Sequence, residues 1–175
     1  MTLRKTFLTS VALCALSTAA FAEQQIFTER YELSIPDEAD YHQAGDSYDI
    51  VVESLKENIA HIVNHAAALK RFPVNPEKVL PKIVFQQPII HIENAGVDIF
   101  VFTVDVPVPD IIRNILLKRW FSDDVYVESD SGYLRLHKEK GAKDSDVAII
   151  ISRAADLADL ETLELDNIIK SFSSL

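Results

Sequence analysis

The alternation of hydrophobic and polar residues predicts strands and helices beyond residue 22. Tyr31, Leu33 and Ile35 alternate with polar residues and are followed by Pro36, a pattern typical of a strand that buries one face. Further along, hydrophobic residues recur every three or four positions, which predicts a helix of about five turns. This stripe consists of Val51, Leu55, Ile59, Ile62, Ala66 and Leu69.

Two hairpins and a central strand are predicted in the middle of the chain. The segment 83–106 turns back at an Asn-Ala-Gly sequence, and Pro88 should break or bulge its first arm because proline cannot donate a ladder hydrogen bond. The second arm, 97–106, is apolar on both faces at its centre, which indicates a strand covered on both sides. A second hairpin is expected around Gly132, and the β-branched run 147–151 favours a central strand.

Two further helices complete the expected fold. The segment 110–121 reads as a short helix with Pro109 near its first turn. From Asp156 onward a broad apolar face opposes an acidic one, which predicts a long C-terminal helix. The sequence therefore predicts an α+β fold, in which a mainly antiparallel sheet packs against two long amphipathic helices, one early and one C-terminal, and one short helix.

The first 22 residues have the three parts of a bacterial secretory signal. Arg4 and Lys5 supply the charged start, residues 7–19 form the apolar stretch, and an Ala-Phe-Ala sequence ends at Ala22. We expect cleavage after Ala22 and a single domain over 23–175 in the periplasm or outside the cell. No apolar run in the mature chain approaches the ~20 residues of a membrane span, so no transmembrane segment is expected there.

Composition narrows the possible functions. The chain has 175 residues, a net charge of -10, four scattered glycines and one cysteine, Cys14. Without the signal, which carries two basic residues, the charge becomes -12 and no thiol remains. The alternative, a lipid anchor on Cys14, is disfavoured by Leu13 in front of it. Thiolate sites, phosphate-binding glycine loops and nucleic-acid partners are therefore not expected, and no cofactor is predicted.

Three histidines are the candidates for metal binding. His61 and His65 lie four residues apart on the first predicted helix, and this spacing places two imidazoles on one helix face. His91 would become a third ligand if that helix packs across its strand, where period-two counting places it on the face of Ile89. The alternative is that all three are boundary histidines that form hydrogen bonds or face water. His42 and His137 lie in or near polar stretches and are weaker candidates.

A basic and aromatic segment is the candidate contact with a membrane or a partner. Arg113, Lys118 and Arg119 interleave with large apolar residues and the only tryptophan, Trp120, as in helices that rest on an interface. The apolar residues exceed one helical stripe, so we expect a helix buried on most sides, with an exposed docking patch as the alternative.

These features favour an exported, non-catalytic binding or interaction domain whose partner is a protein or an apolar small molecule. One alternative is a carrier of an apolar small molecule or lipid, with a cavity between sheet and helices lined by Phe100, Phe102, Ile149 and the apolar stripes of the helices. The other is a metal-dependent hydrolase that uses His61 and His65.

Overall fold

The structure is a computed structural model that describes residues 23–45, 48–68, 75–105, 124–140 and 146–175. The expected secretory signal and the expected short helix over 110–121 lie outside these ranges, and both stay predictions.

Within the described residues the chain forms nine strands and three α-helices. The strands are β1 Glu23–Phe27, β2 Tyr31–Pro36, β3 Asp40–Gln43, β4 Val84–Asn94, β5 Val97–Asp105, β6 Val125–Ser129, β7 Gly132–Lys140, β8 Asp146–Ala154 and β9 Ser173–Ser174. The helices are α1 Tyr48–Ala68, α2 Pro76–Val79 and α3 Leu163–Ser171, with 3-10 helices at Leu80–Lys82 and Leu157–Glu161. None of the described helices has both the length and the apolar content that a membrane crossing requires.

The strands form two antiparallel sheets. A small sheet has the order β1-β2-β9, and a six-stranded sheet has the order β3-β4-β5-β8-β7-β6. All neighbouring strands run antiparallel. The prediction of an α+β fold with a mainly antiparallel sheet is confirmed.

The six-stranded sheet is covered on both sides. One side, which we call the α1 face, packs against α1 through Ile89, Phe100, Phe102, Leu134, Leu136, Ile149 and Ile151. The other side, the α3 face, packs against the small sheet and α3 through Ile90, Ile92, Ile99, Val101, Ala148 and Ile150. Alternate residues of β5 therefore enter two separate cores, as its two apolar faces predicted.

The local strand predictions are confirmed. Tyr31, Leu33 and Ile35 of β2 are buried against the α3 face, and the Tyr31 hydroxyl lies 3.0 Å from the carbonyl oxygens of Pro88 and Val101. The register of β4 shifts between Gln86 and Ile90, which is the bulge expected at Pro88. The second hairpin is β6 and β7, and β8 lies between β5 and β7 as a central strand.

The prediction of a long C-terminal helix is wrong. Thr162 has an extended backbone (φ -77°, ψ 147°) that ends the 3-10 helix, and its hydroxyl accepts a hydrogen bond from the Leu165 N–H to begin α3. Helix α3 therefore has only nine residues, whereas α1 has 21. The apolar spacing continues across the break, so periodicity alone did not reveal it.

Candidate functional site

An open groove of about 340 Å³ lies between β2 and α3. Its β2 side is formed by Ser34, Ile35 and Pro36, and its α3 side by Leu163, Asn167, Ile168 and Ser171. Three carboxylate residues, Glu23, Glu38 and Glu164, complete the lining, and no lysine, arginine or histidine from the described ranges belongs to it. We call this feature the β2–α3 groove.

The groove exists because β9 is too short to cover β2. Strand β9 pairs only with Tyr31 and Glu32, so the remainder of that β2 edge faces α3. The Ser34 N–H on this edge donates to the Ser171 hydroxyl oxygen at 2.9 Å. That hydroxyl lies 2.7 Å from the carbonyl oxygen of Ile168 and 3.2 Å from that of Ser34. The amide that an added strand would need is therefore already bonded.

The helix histidines lie apart from His91. His61 and His65 are both exposed on α1, and the His61 Nε2 is 2.6 Å from the carbonyl oxygen of Glu128 at β6. His91 pairs with Phe100 across the β4–β5 ladder and therefore lies on the α1 face with Ile89, as the period-two count predicted. In the described part of the chain, no convergent set of three metal-ligating side chains includes His61 or His65.

His91 instead contacts His42, which stands directly opposite it on β3. The His91 Nδ1 is 3.4 Å from the His42 Nε2, and the His91 ring stacks on Phe100 with centroids 4.4 Å apart. Glu93, two residues further along β4, has a carboxylate oxygen 4.0 Å from the same Nδ1. Sequence reasoning ranked His42 low, because the polar stretch around it gave no strand pattern.

Asp98 and Arg153 hold the other side of the His91 ring. The Asp98 Oδ1 is 3.1 Å from the His91 Nε2, and Arg153 donates to the Asp98 Oδ2 at 2.7 Å. Partial burial alone would raise the pKa of Asp98, but the hydrogen bonds from Arg153 and His91 outweigh it, so this pKa lies below its usual range. An ionised Asp98 favours the His91 tautomer that carries its proton on Nε2, and in that tautomer the Nδ1 lone pair faces His42.

A second charged group lies on the α3 face around the buried Arg135. Its guanidinium donates to Asp124 at 2.7 Å and to the Leu160 carbonyl at 2.8 Å, and it contacts Asp166 at 2.7 Å. His137 is 2.7 Å from the other oxygen of Asp124. This arrangement ties β7 to the 3-10 helix and to α3.

The basic and aromatic segment cannot be placed beside these features. Arg113, Lys118, Arg119 and Trp120 lie outside the described residues, and their contact with a membrane or partner stays a prediction.

No protein-family model matches the chain, and no curated protein or solved structure is significantly similar to it.

Proposed function

We propose that the chain is an exported, non-catalytic binding domain, and that its ligand is a small apolar molecule with a positively charged group. The observation that carries this proposal is the β2–α3 groove, with its apolar floor and its carboxylate lining. The carrier hypothesis placed the ligand in a cavity of the main core. In this proposal the ligand instead binds beside the small sheet, between β2 and α3.

The size and lining of the groove suit a small molecule. Ligand pockets generally enclose ~300–1,000 Å³ and have mainly apolar walls. The groove, at about 340 Å³, lies at the small end of this range. Leu163 on its rim is a large apolar side chain that is 72% exposed, so a ligand with an apolar body would remove it from water.

The charge around the groove favours a cation. Among the described residues, Glu23, Glu38 and Glu164 line it without a basic side chain, and Glu164 also accepts a hydrogen bond from the Asn94 amide. Cleavage before Glu23 would add one α-ammonium group, which leaves the three-carboxylate lining with a net negative charge. Without the signal, the net charge of -12 adds a long-range attraction for cations. An extended peptide fits less well than a small molecule, because Ser171 already bonds the Ser34 amide.

The two alternative hypotheses have less support from the geometry. Phe100, Phe102 and Ile149 pack in the α1-face core and do not line the pockets found among the described residues. A pocket of about 220 Å³ does lie beside Ile59 of the α1 stripe and Phe85, but it is smaller than the groove and is also lined by Lys56. A hydrolase that uses His61 and His65 would need further ligands beside them, yet the His61 Nε2 approaches a backbone carbonyl.

Three probes that share a naphthylmethyl body test the groove. They are 1-naphthylmethylamine, which is a cation, 1-naphthalenemethanol, which is neutral, and the carboxylate 1-naphthaleneacetate, which is an anion. We expect affinity to fall in that order, measured by ligand-observed NMR. Asn167→Trp, which fills the groove, should weaken amine binding at least tenfold. Lys170→Trp on the same helix, outside the lining, is the matched control. Equal affinity for the amine and the acetate, or an unchanged affinity in Asn167→Trp, would contradict the proposal.

Export is proposed from the signal pattern alone. The mature protein should begin at Glu23, and intact-mass measurement of the exported chain tests this. Retention of residues 1–22, or a lipid on Cys14, would contradict it.

A further inference from the structure

A second polar site lies where β3 meets β4, away from the residues that line the β2–α3 groove. The ligand atoms of His42, His91 and Glu93 all lie within 4.8 Å of one another. We propose that these three side chains form a binding site for a divalent transition-metal ion. Within the described residues, this is the one set of three metal-ligating side chains that converges in this way.

The distances fit a tetrahedral ion after a small movement of one side chain. Bonds of ~2.0–2.1 Å in a tetrahedral zinc site place neighbouring ligand atoms about 3.3–3.4 Å apart. The His42 Nε2 and the His91 Nδ1 are already 3.4 Å apart. The Glu93 carboxylate, 4.0 Å from the His91 Nδ1, has to move closer, and its side chain is 63% exposed and therefore able to rotate.

The surroundings of His91 prepare it as a ligand. Histidines that bind metals generally donate their second ring N–H to a carboxylate, which fixes the tautomer and makes the free nitrogen a better donor. Asp98 accepts from the His91 Nε2 at 3.1 Å and is itself held by Arg153. Phe100 stacks on the ring at an interplanar angle of 4°, which fixes the direction of Nδ1.

The same geometry without an ion is a hydrogen bond between the two histidines. A proton on the His42 Nε2 then points at the lone pair of the His91 Nδ1. Metal binding replaces that proton, which moves to the distal nitrogen of His42 or to solvent. The test must therefore distinguish a metal site from a structural histidine pair.

The ligand set selects the class of ion. Imidazole nitrogens favour Zn²⁺, Cu²⁺ and Ni²⁺, whereas Ca²⁺ and Mg²⁺ prefer oxygen ligands. Three protein ligands leave at least one coordination position for water or another molecule. His42 and Glu93 are exposed, so an ion would reach the site directly from solvent.

The test uses the untagged chain, treated with a chelator and then titrated with Zn²⁺ by calorimetry. We expect one ion per chain, and at least a tenfold loss of affinity in His42→Ala and in Glu93→Gln. His65→Ala is the matched control, because this histidine is exposed like His42 and lies outside the set, and the variant should bind as the wild type does. Full affinity in His42→Ala, the absence of Zn²⁺ binding, or loss of binding in His65→Ala would overturn the proposal.

A second measurement separates ligation from structural damage. Cu²⁺ electron paramagnetic resonance should show two nitrogen ligands in the wild type and one in His42→Ala. Asp98→Asn should weaken Zn²⁺ binding by about 10- to 100-fold while circular dichroism shows an intact fold. If a folded His42→Ala variant still shows two nitrogen ligands, His42 does not bind the ion. The proposal would then be overturned, and the contact between His42 and His91 would be structural only. Asn167→Trp should not alter Zn²⁺ binding, so this test is independent of the groove.

Discussion

Two groups of the same composition, each with one histidine, one aspartate and one arginine, lie on opposite faces of the six-stranded sheet. They are His91, Asp98 and Arg153 on the α1 face, and His137, Asp124 and Arg135 on the α3 face. In each group the aspartate lies between the other two side chains, with one oxygen toward the imidazole and the other toward the guanidinium.

The groups differ in what lies beyond the imidazole. The second nitrogen of His137 is buried without a hydrogen-bond partner among the described residues, and the nearest carboxylate oxygen, on Glu139, is 3.6 Å away. The second nitrogen of His91 faces His42 and Glu93. The Arg135 side chain is 8% exposed, whereas that of Arg153 is 33% exposed. The same three residue types thus stabilise the fold on one face and prepare a ligand on the other.

The turns that lead into the two groups include the substitution with the largest expected loss of folding stability. Gly132 begins β7, which carries Arg135 and His137; its φ is +124°, and a Cβ there would lie 2.3 Å from the Ala154 carbonyl oxygen. Gly132→Ala should therefore lower the free energy of unfolding by about 3 kcal/mol or more. Gly96, before β5, has φ +82° and open space around it, so Gly96→Ala should cost about 1–2 kcal/mol. Urea denaturation measures both, and equal losses would remove the difference between the two turns.

Substitution of the two arginines gives the next largest loss of folding stability. Arg135→Met removes the guanidinium that both Asp124 and Asp166 contact and should cost about 2–4 kcal/mol. Arg153→Met breaks a pair that is about one third exposed on both sides and should cost ~1 kcal/mol or less. Thermal or urea unfolding of both variants tests the comparison. A larger loss in Arg153→Met would show that the α1-face group, too, is primarily structural.

The smallest expected effect is the loss of folding stability when acid protonates Asp124. Burial alone would raise the pKa of Asp124, but hydrogen bonds from His137 and Arg135 hold this pKa below its usual range. The unfolded chain, with an aspartate pKa of ~3.9, then binds the proton first as the pH falls. The stabilisation from Asp124 is therefore complete above about pH 5 and is lost progressively below about pH 4.

Urea midpoints between pH 3 and pH 6 measure this loss. Asp124→Asn should flatten the pH dependence, because the amide cannot lose a proton and so removes this contribution. An Asp124→Asn slope equal to that of the wild type would contradict the assignment.

Local patterns predicted much of the fold. The strand around Leu33, the bulge at Pro88, the hairpin at Gly132 and the central strand β8 all follow from spacing or from turn residues a few positions apart. The helix break at Thr162 did not, because the apolar spacing continues through it. The edge strand β3 was missed as well, since all four of its residues are exposed and it has no buried face to produce an alternating pattern.

The candidate sites depend on pairing between distant segments, which single-sequence patterns do not report. His42 and His91 are 49 positions apart, and the register of an unpredicted strand brings them together. The spacing of His61 and His65 suggested ligands because it is local, although their partners lie elsewhere. The groove likewise depends on how far β9 extends along β2.

The small sheet joins the first described strands to the last residues of the chain. The Ser34 amide bonds a hydroxyl 137 positions later, and the Leu175 N–H donates to the Arg30 carbonyl at 2.8 Å. In a chain that emerges from the ribosome in order, the β2 edge stays uncovered until residues 163–175 appear, and contacts of such long sequence separation form slowly. Until then the nascent protein would lack the β2–α3 groove and would carry an open strand edge, with which other extended chains can pair.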